Sequence, residues 1–368
     1  MREPGGQGTA PAETAGPDTE TSSDRRRWWR RASVLVALLV SSLVVVLLTW
    51  PQIFGAQRAF GIAQLIAFRA PLAIGWGLLT VAVAVVAVLL ARRNDRRKPL
   101  LALGLVVVLA AGALGNGAVL LSRGWDTGEP LPAGDLVVLA WNTQGGATSP
   151  DEIARVAAEV RADVVSLPET DEDAAGDVVR LLAARGIAMT AHTARADGDY
   201  DWIPTSVLIA DGLGEYALDR EAGSTPGLPS GVWKRVDGDD DAPVIVAAHP
   251  LPPLPSTMDA WKAGLEWVGG ACSTSGPHVV VAGDFNATDD HLAGLGAAGH
   301  LIGLCDDAAQ EAGGAASGTW PADVPSWVSS PIDHVLHGSG WTARSVRVLD
   351  GDPDGTDHRP IVAVLDRR

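Results

Sequence analysis

Three uncharged apolar runs crowd the front of the chain, and they restrict its fold more than any other feature. Ala32 to Trp50 is mostly Val and Leu, Pro71 to Ala91 is a second run, and Pro99 to Leu121 is a third. A helix needs roughly 20 apolar residues to cross the hydrocarbon core of a bilayer. None of the runs has the polar face that a buried helix of a water-soluble bundle turns to solvent. They predict three transmembrane helices, at about 32–50, 71–91 and 99–121. The first run shares a basic front and apolar core with cleavable signal peptides. Its core is long for that role, and no small-residue cleavage site follows Trp50, so it reads as an uncleaved anchor.

Charge divides the chain at the same place. Residues 1–130 hold 14 Lys+Arg against 8 Asp+Glu, whereas residues 131–368 hold 14 against 36, within a total of −16. Five arginines (Arg25, Arg26, Arg27, Arg30 and Arg31) precede the first run. Arg92, Arg93, Arg96, Arg97 and Lys98 separate the second from the third, whereas the loop between the first and second carries only Arg58 and Arg69. The positive-inside rule puts both clusters in the cytoplasm, so three crossings leave the acidic half outside the cytoplasmic membrane. Trp28, Trp29 and Trp50 sit where interfacial aromatic belts form. Residues 1–31 read as a disordered basic tail, 32–121 as the membrane region, 122–134 as a linker and 135–368 as one folded domain. Cys272 and Cys305 both fall in that domain. An exported compartment permits a bridge between them, and two separate buried thiols fit the sequence as well.

The acidic half alternates short apolar runs with amphipathic segments. Asp135–Ala140, Asp163–Leu167, Ser206–Ala210, Val244–Ala248, His278–Ala282, Ile332–Leu336, Val346–Leu349 and Ile361–Leu365 are bounded by Gly, Pro or Asp, as buried strands are. Asp151–Glu159, Val178–Ala184 and Met258–Trp267 have helical spacing. This pattern predicts an α/β domain of stacked sheet and helix layers.

Polar residues recur at the ends of these strands: Trp141-Asn142-Thr143, Pro168-Glu169-Thr170, His249-Pro250, Gly283-Asp284-Phe285-Asn286, Ile332-Asp333-His334 and Thr356-Asp357-His358-Arg359-Pro360. Singly, each has an ordinary explanation as a turn, a cap or a surface charge. Together they repeat acid, amide and imidazole along one edge of the apolar runs, where ligand sites of layered sheets gather. No Ser or Cys stands beside a matching base, no phosphate-binding glycine loop is present, and no Cys-His spacing suits zinc. Carboxylates with amides suit a hard cation, Mg2+ or Mn2+, and a cation with acid, base and imidazole suits hydrolysis of a phosphate ester.

In order and spacing these six segments resemble the endonuclease/exonuclease/phosphatase family, over about residues 134–368. The resemblance implies a four-layer α/β sandwich with two central mixed sheets. It implies Glu169 as principal metal ligand, with Asn142 and Asp357 near the metal or its waters. It implies Asp284 as the group that orients or deprotonates the attacking water. Asn142, Asn286, His249 and His358 would face the phosphate, and Asp333 would hold the His358 ring. Three positions depart from the family pattern: Pro168 where Gln is common before the metal Glu, Asp211 after the Ser206–Ala210 strand where Ser-Arg is common, and Thr356 where Ser is common. None of these removes a metal or phosphate ligand.

The substrate side is less constrained. Lysine occurs in the acidic half only at Lys234 and Lys262, which disfavours long duplex DNA because nucleic-acid affinity is built on phosphate contacts from Lys and Arg. The expectation is a membrane-anchored, metal-dependent phosphodiesterase or phosphatase acting on a small or lipid phosphate ester, with the bilayer as its surroundings and no obligate protein partner evident. An extracellular nuclease and a non-catalytic membrane-tethered binding module are the alternatives.

Overall fold

Runs that are apolar at every position become inner strands, because each of their faces meets a packed layer. Along Val138, Leu139, Ala140 and Trp141, and along Val279 to Ala282, alternate residues enter different hydrophobic clusters. The two-residue period of a strand therefore decides which layer each side chain joins. The computed structural model describes residues 18–92, 99–126, 128–195, 203–351 and 355–368.

The chain begins with α1 (Asp18–Thr49), a short α2 (Ile62–Ile66), α3 (Arg69–Arg92) and α4 (Pro99–Arg123). There follow β1 (Leu136–Ala140), α5 (Pro150–Val160), β2 (Val164–Pro168), α6 (Glu172–Ala184), β3 (Met189–Ala194), β4 (Thr205–Ala210), β5 (Tyr216–Leu218), β6 (Gly231–Arg235) and β7 (Val244–Ala248). The remaining elements are α7 (Met258–Thr274), β8 (Val279–Asp284), α8 (Asp289–Leu292), the two-residue pair β9 (Leu295–Gly296) and β10 (Ile302–Gly303), β11 (Asp306–Asp307), α9 (Ala308–Glu311), β12 (Asp333–His337), β13 (Trp341–Val348) and β14 (Ile361–Arg367).

Two six-stranded mixed sheets form, ordered β13-β14-β1-β2-β4-β3 and β11-β12-β8-β7-β6-β5. Each has one parallel pair near its middle, β1 with β2 and β7 with β8. Val138, Ala140, Val164 and Val207 of the first sheet share a core with Ile245, Ala247, Val280 and Val335 of the second. On the outer faces, α5 and α6 cover the first sheet and α7 covers the second. The result is the expected four-layer α/β sandwich. A disulfide joins Cys272 at the end of α7 to Cys305, which settles the choice left open by the sequence.

Three helices are long and apolar enough to cross a membrane: Arg25–Thr49, Arg69–Arg92 and Leu101–Arg123. Leu39, Leu78, Val81, Leu103 and Val107 point outward from them, as lipid-facing residues do. Gly104 lies against Leu38, and Gly112 against Val45 and Trp76. Small residues let such helices approach closely. The first helix starts at Asp18, upstream of the Ala32 start of the apolar run, so helical backbone extends through the Arg25–Arg31 cluster expected to be disordered tail. Arg and Glu propagate a helix well once an apolar segment has nucleated it. Residues 1–17 of that tail, and Arg93, Arg96, Arg97 and Lys98, lie outside the described residues.

The helices are not a loosely tethered anchor. Buried Arg69 donates to both Asp290 oxygens at 2.6 Å, to Asn116 Oδ1 at 2.7 Å and to the Thr49 carbonyl at 3.2 Å. Arg123 reaches Asp290 Oδ2 at 2.9 Å. Arg58 donates to the carbonyls of His291 and Ala293, and Ala63 of α2 joins the cluster under α7. The expected linker is also tied down: Trp125 bridges Ala315, and Asp126 Oδ2 accepts from the Val348 backbone N–H at 3.0 Å.

Candidate active site

Four central strands, β1, β2, β7 and β8, end at one edge of the sandwich, and each delivers a polar residue there. Asn142 follows β1, Glu169 follows β2, His249 follows β7, and Asp284 closes β8. Gly283 makes the last placement possible. At φ +151, a Cβ on it would lie 2.0 Å from the Ala248 carbonyl oxygen, so only glycine lets β8 pass this close to β7 and set Asp284 beside His249. Glu169 (φ 60) and Asn286 (φ 49) hold left-handed backbone that non-glycine residues rarely adopt, a strain that clusters at functional sites.

Asn142 ties the site together. Its Nδ2 donates to Glu169 Oε1 at 3.0 Å and to Asp284 Oδ2 at 3.1 Å, while its Oδ1 accepts from the Gln144 backbone N–H at 2.9 Å. Asp284 Oδ1 accepts from the Asn286 backbone N–H at 2.8 Å, and Asn286 Nδ2 donates to the Pro250 carbonyl at 3.0 Å. His358 lies between two acids. Its Nδ1 is 2.9 Å from Asp333 Oδ2 and its Nε2 is 3.7 Å from Asp284 Oδ2. Asp357 Oδ2 accepts from Trp320 Nε1 at 2.8 Å. His249 Nε2 stands 3.9 Å from Glu169 Oε1 and 3.8 Å from Asp284 Oδ2. All eight residues singled out in the sequence therefore meet, with Asp333 touching the site through His358.

Burial and charge divide the labour among them. Asp284 is 2% exposed and His249 1% exposed, whereas the Glu169 and Asp357 side chains reach solvent. Burial, together with neighbouring Asp333, pushes the Asp284 carboxyl up to about 7, against the pull of His358 and the Asn286 N–H. Burial also works against a charge on His358, but Asp333 and Asp284 overcome it and raise the ring to about 10, so it is an imidazolium that donates to Asp333. Burial and the nearby His358 charge push His249 down to about 3. A neutral His249 makes no ion pair with Glu169 or Asp284, despite the distances.

The donor set fits a hard divalent cation. Glu169 and Asp284 share the Asn142 amide, Asp284 and Asp357 both face His358 Nε2 at 3.7 and 4.0 Å, and oxygen donors with excess negative charge are what Mg2+ or Mn2+ require. Asp284, Asp333 and His358 also lie within ligand distance of one another. The hydrogen bond from His358 Nδ1 to Asp333 makes that trio an internal charge pair facing Asp284 rather than a ligand cage. A second buried trio, Asp289, Asp307 and His334, is a structural ion cluster. Both His334 nitrogens face oxygens, Asp307 Oδ2 and the Ala287 carbonyl, and the Asp307 charge overrides burial to raise the ring to about 9. An imidazolium has no lone pair for a metal.

Sequence reasoning missed Trp320, Gln144 and Ser230. Gln144 Oε1 accepts from the Asp357 backbone N–H at 3.2 Å, and Ser230 Oγ accepts from the His249 N–H at 2.8 Å. Trp320 and Ser230 lie in other segments with no local signal, and Gln144, two residues beyond Asn142, meets Asp357 only because the fold brings the two segments together.

An α/β sandwich of two mixed sheets, carrying acids, amides and imidazoles at its strand ends, defines a metal-dependent phosphoric ester hydrolase. The chain belongs to the Endonuclease/Exonuclease/phosphatase family, whose profile matches residues 139–358. Among solved structures, it is similar to an endonuclease/exonuclease/phosphatase from Bacteroides vulgatus, at 13% identity over 63% of this chain and 99% of that one, TM-score 0.48. It is also similar to a humanized D. rerio TDP2, at 16% identity over 63% and 98%, TM-score 0.47. A third is the mannosyl-6-phosphatase from Bacteroides thetaiotaomicron, at 14% identity over 63% and 99%, TM-score 0.44. No curated protein sequence matches the chain.

Proposed function

We propose that this chain is a membrane-anchored phosphoesterase whose catalytic domain faces away from the cytoplasm and hydrolyses a phosphate ester with Mg2+ or Mn2+. The observation that carries the reading is the linked set Glu169–Asn142–Asp284–His358–Asp333, in which every member has a distinct charge or hydrogen-bonding duty. Glu169, with Asn142 beside it and Asp357 on the far side of His358 Nε2, would hold the cation, which would supply positive charge to the phosphate oxygens when bound. Asp284, fixed by the Asn286 N–H and by Asn142, takes a proton from the attacking water. As the new P–O bond forms, negative charge grows on the phosphoryl oxygens, and the His358 imidazolium, held by Asp333, stabilises it. The P–O bond to the leaving group breaks, and that oxygen is protonated from solvent. Neutral His249 and the Asn286 amide offer N–H groups to the same oxygens. The basic clusters flanking the helices support the outward orientation through the positive-inside rule.

The test is a panel of phosphomonoesters, phosphodiesters and DNA with each metal, comparing wild type with Asp284→Ala and His358→Ala. Losses of about 10²-fold or more in rate are expected for each variant, the scale of general acid–base groups. A nuclease would show preference for DNA and a steep loss of affinity with salt. A binding module would turn over none of the panel. Protease accessibility of the catalytic domain in intact spheroplasts tests the orientation.

A further inference from the structure

Helix α2 and its flanks join the ends of the apolar helices directly to the candidate active site. Phe68 is the residue before α3, and its ring lies 5.9 Å from the Trp320 ring. The Trp320 indole N–H in turn binds Asp357 at 2.8 Å, so two side chains separate the start of an apolar helix from an acid of the site. On the other side, Gln64 of α2 donates to the Pro253 carbonyl. Pro253 lies on the segment that leaves β7 through His249 and Pro250, and the Pro250 carbonyl is the acceptor for Asn286. Segments from both sides of the site thus grip α2 and the Phe68 that follows it. Apolar side chains stay exposed along this junction: Phe60 at 62%, Leu65 at 51% and Leu254 at 53%.

Exposed apolar groups beside polar catalytic groups are costly in water and stabilising at a bilayer surface. Their continuity with the ends of α1 and α3 identifies what covers them. Thr49 and Arg69, joined by a hydrogen bond, mark the level at which the apolar helices end, and Phe68 and Trp320 stand at that level. We infer that α2 and the 250–254 segment form a lipid-facing lip of the active site. The substrate is then a phosphate ester on a lipid, whose apolar chains stay in the outer leaflet while its head group reaches Glu169, Asp284 and His358. The inference rests on the phosphoesterase reading above and on its outward orientation. The acidic surface agrees with it, because a head group bearing one phosphate needs few basic contacts, unlike a polyanion.

The experiment uses the full chain in phosphatidylcholine nanodiscs with Mn2+ or Mg2+. Dioleoyl phosphatidic acid and dioleoyl phosphatidylglycerol are compared with glycerol phosphate and glycerophosphoglycerol, their head groups without acyl chains. p-Nitrophenyl phosphate and bis-p-nitrophenyl phosphate serve as soluble reporters. At least one lipid is expected to exceed its deacylated counterpart in kcat/KM by about tenfold or more, the scale of one buried apolar contact. Phe60→Ser with Leu65→Ser, both exposed and outside the catalytic set, should remove most of that advantage. Turnover of the nitrophenyl esters should stay within about twofold, because the reacting groups are untouched. The inference is overturned if deacylated esters match the lipids, if nitrophenyl esters are cleaved and neither lipid is, or if the double variant slows lipid and soluble esters alike. If wild type cleaves none of these esters, the phosphoesterase reading itself falls. The comparison of lipid with head group needs no variant, so a folding failure of the double variant does not rescue the inference.

Discussion

His358 and Asp333 form the shortest charged contact of the candidate site: Nδ1 of the ring donates to Oδ2 of the acid across 2.9 Å, and this acid is the largest favourable influence on the ring's proton. Asp333→Asn keeps the shape and removes that charge. The His358 imidazolium then loses stabilisation and deprotonates at a lower pH. The alkaline limb of the pH–rate profile should move toward neutrality, and the rate at pH 8 should fall about 10- to 100-fold, the usual consequence of losing a group that orients a catalytic side chain. An unchanged limb with a lower rate throughout would show that Asp333 merely packs.

Glu169 is the most open acid in direct contact with Asn142, and its left-handed backbone aims it at the site edge. Glu169→Gln preserves the chain's shape and still accepts from Asn142, but it supplies no negative charge to a cation. Activity should drop about 10²-fold at low metal and recover in part at high metal, because a lost ligand weakens affinity before it alters chemistry. Titrating Mg2+ and Mn2+ against rate, with isothermal calorimetry of the metal alone, separates a shifted affinity from a lowered plateau. Chelation of wild type should abolish turnover, and readdition should restore it.

How much of this was legible beforehand depended on burial. β1, β2, β4, β7, β8 and β14 are largely buried on both faces and stand out as mostly apolar runs, whereas β12 is equally buried but reads Asp-His-Val-Leu-His. β3 is an edge strand that interleaves Thr190, His192 and Thr193 with its apolar residues, β5 is an edge strand of only three residues, and β6 ends in Lys234 and Arg235, so none of the three carries an apolar run long enough to read. The candidate site residues were legible because each sits at or close to a strand end, where local pattern and site coincide. Trp320, Phe68 and Asp290 were not, because their roles come from contacts across 37, 252 and 221 positions, and no local period reports such distances.

Asp290 sits between Arg69 and Arg123 at the junction of the apolar helices with the sandwich. Burial opposes its charge, yet the two guanidinium groups hold its carboxyl well below the ordinary carboxylate range. A depressed folded pKa contributes stability that is present above the unfolded value and is lost as pH falls. The melting temperature in detergent should therefore drop as pH is lowered below about 4, the unfolded value for Asp. Asp290→Ala leaves two arginines without their partner and should cost about 3–5 kcal/mol at neutral pH, the scale of breaking a buried pair. The variant's melting temperature should then depend less on pH across the acid range. Equal acid sensitivity in both proteins would assign the effect to other carboxylates.

The Cys272–Cys305 bridge closes a loop spanning 33 residues that contains the Gly283–Asn286 segment. Constraining the unfolded chain over a loop of that size is worth about 3–4 kcal/mol in the chain-entropy account. Cys272→Ser with Cys305→Ser should lower stability by about 2–4 kcal/mol. Both sulfurs lie in the cluster under α7, on the opposite face of the second sheet from the core it shares with the first. The strand ends that carry Asp284 and His249 are held independently by the β7–β8 ladder and its pairing with β12. The serine variant should therefore keep its kcat at temperatures where it stays folded, while denaturing at lower urea than wild type. A fall in kcat well below the unfolding transition would mean that the bridge also positions the Gly283–Asn286 segment.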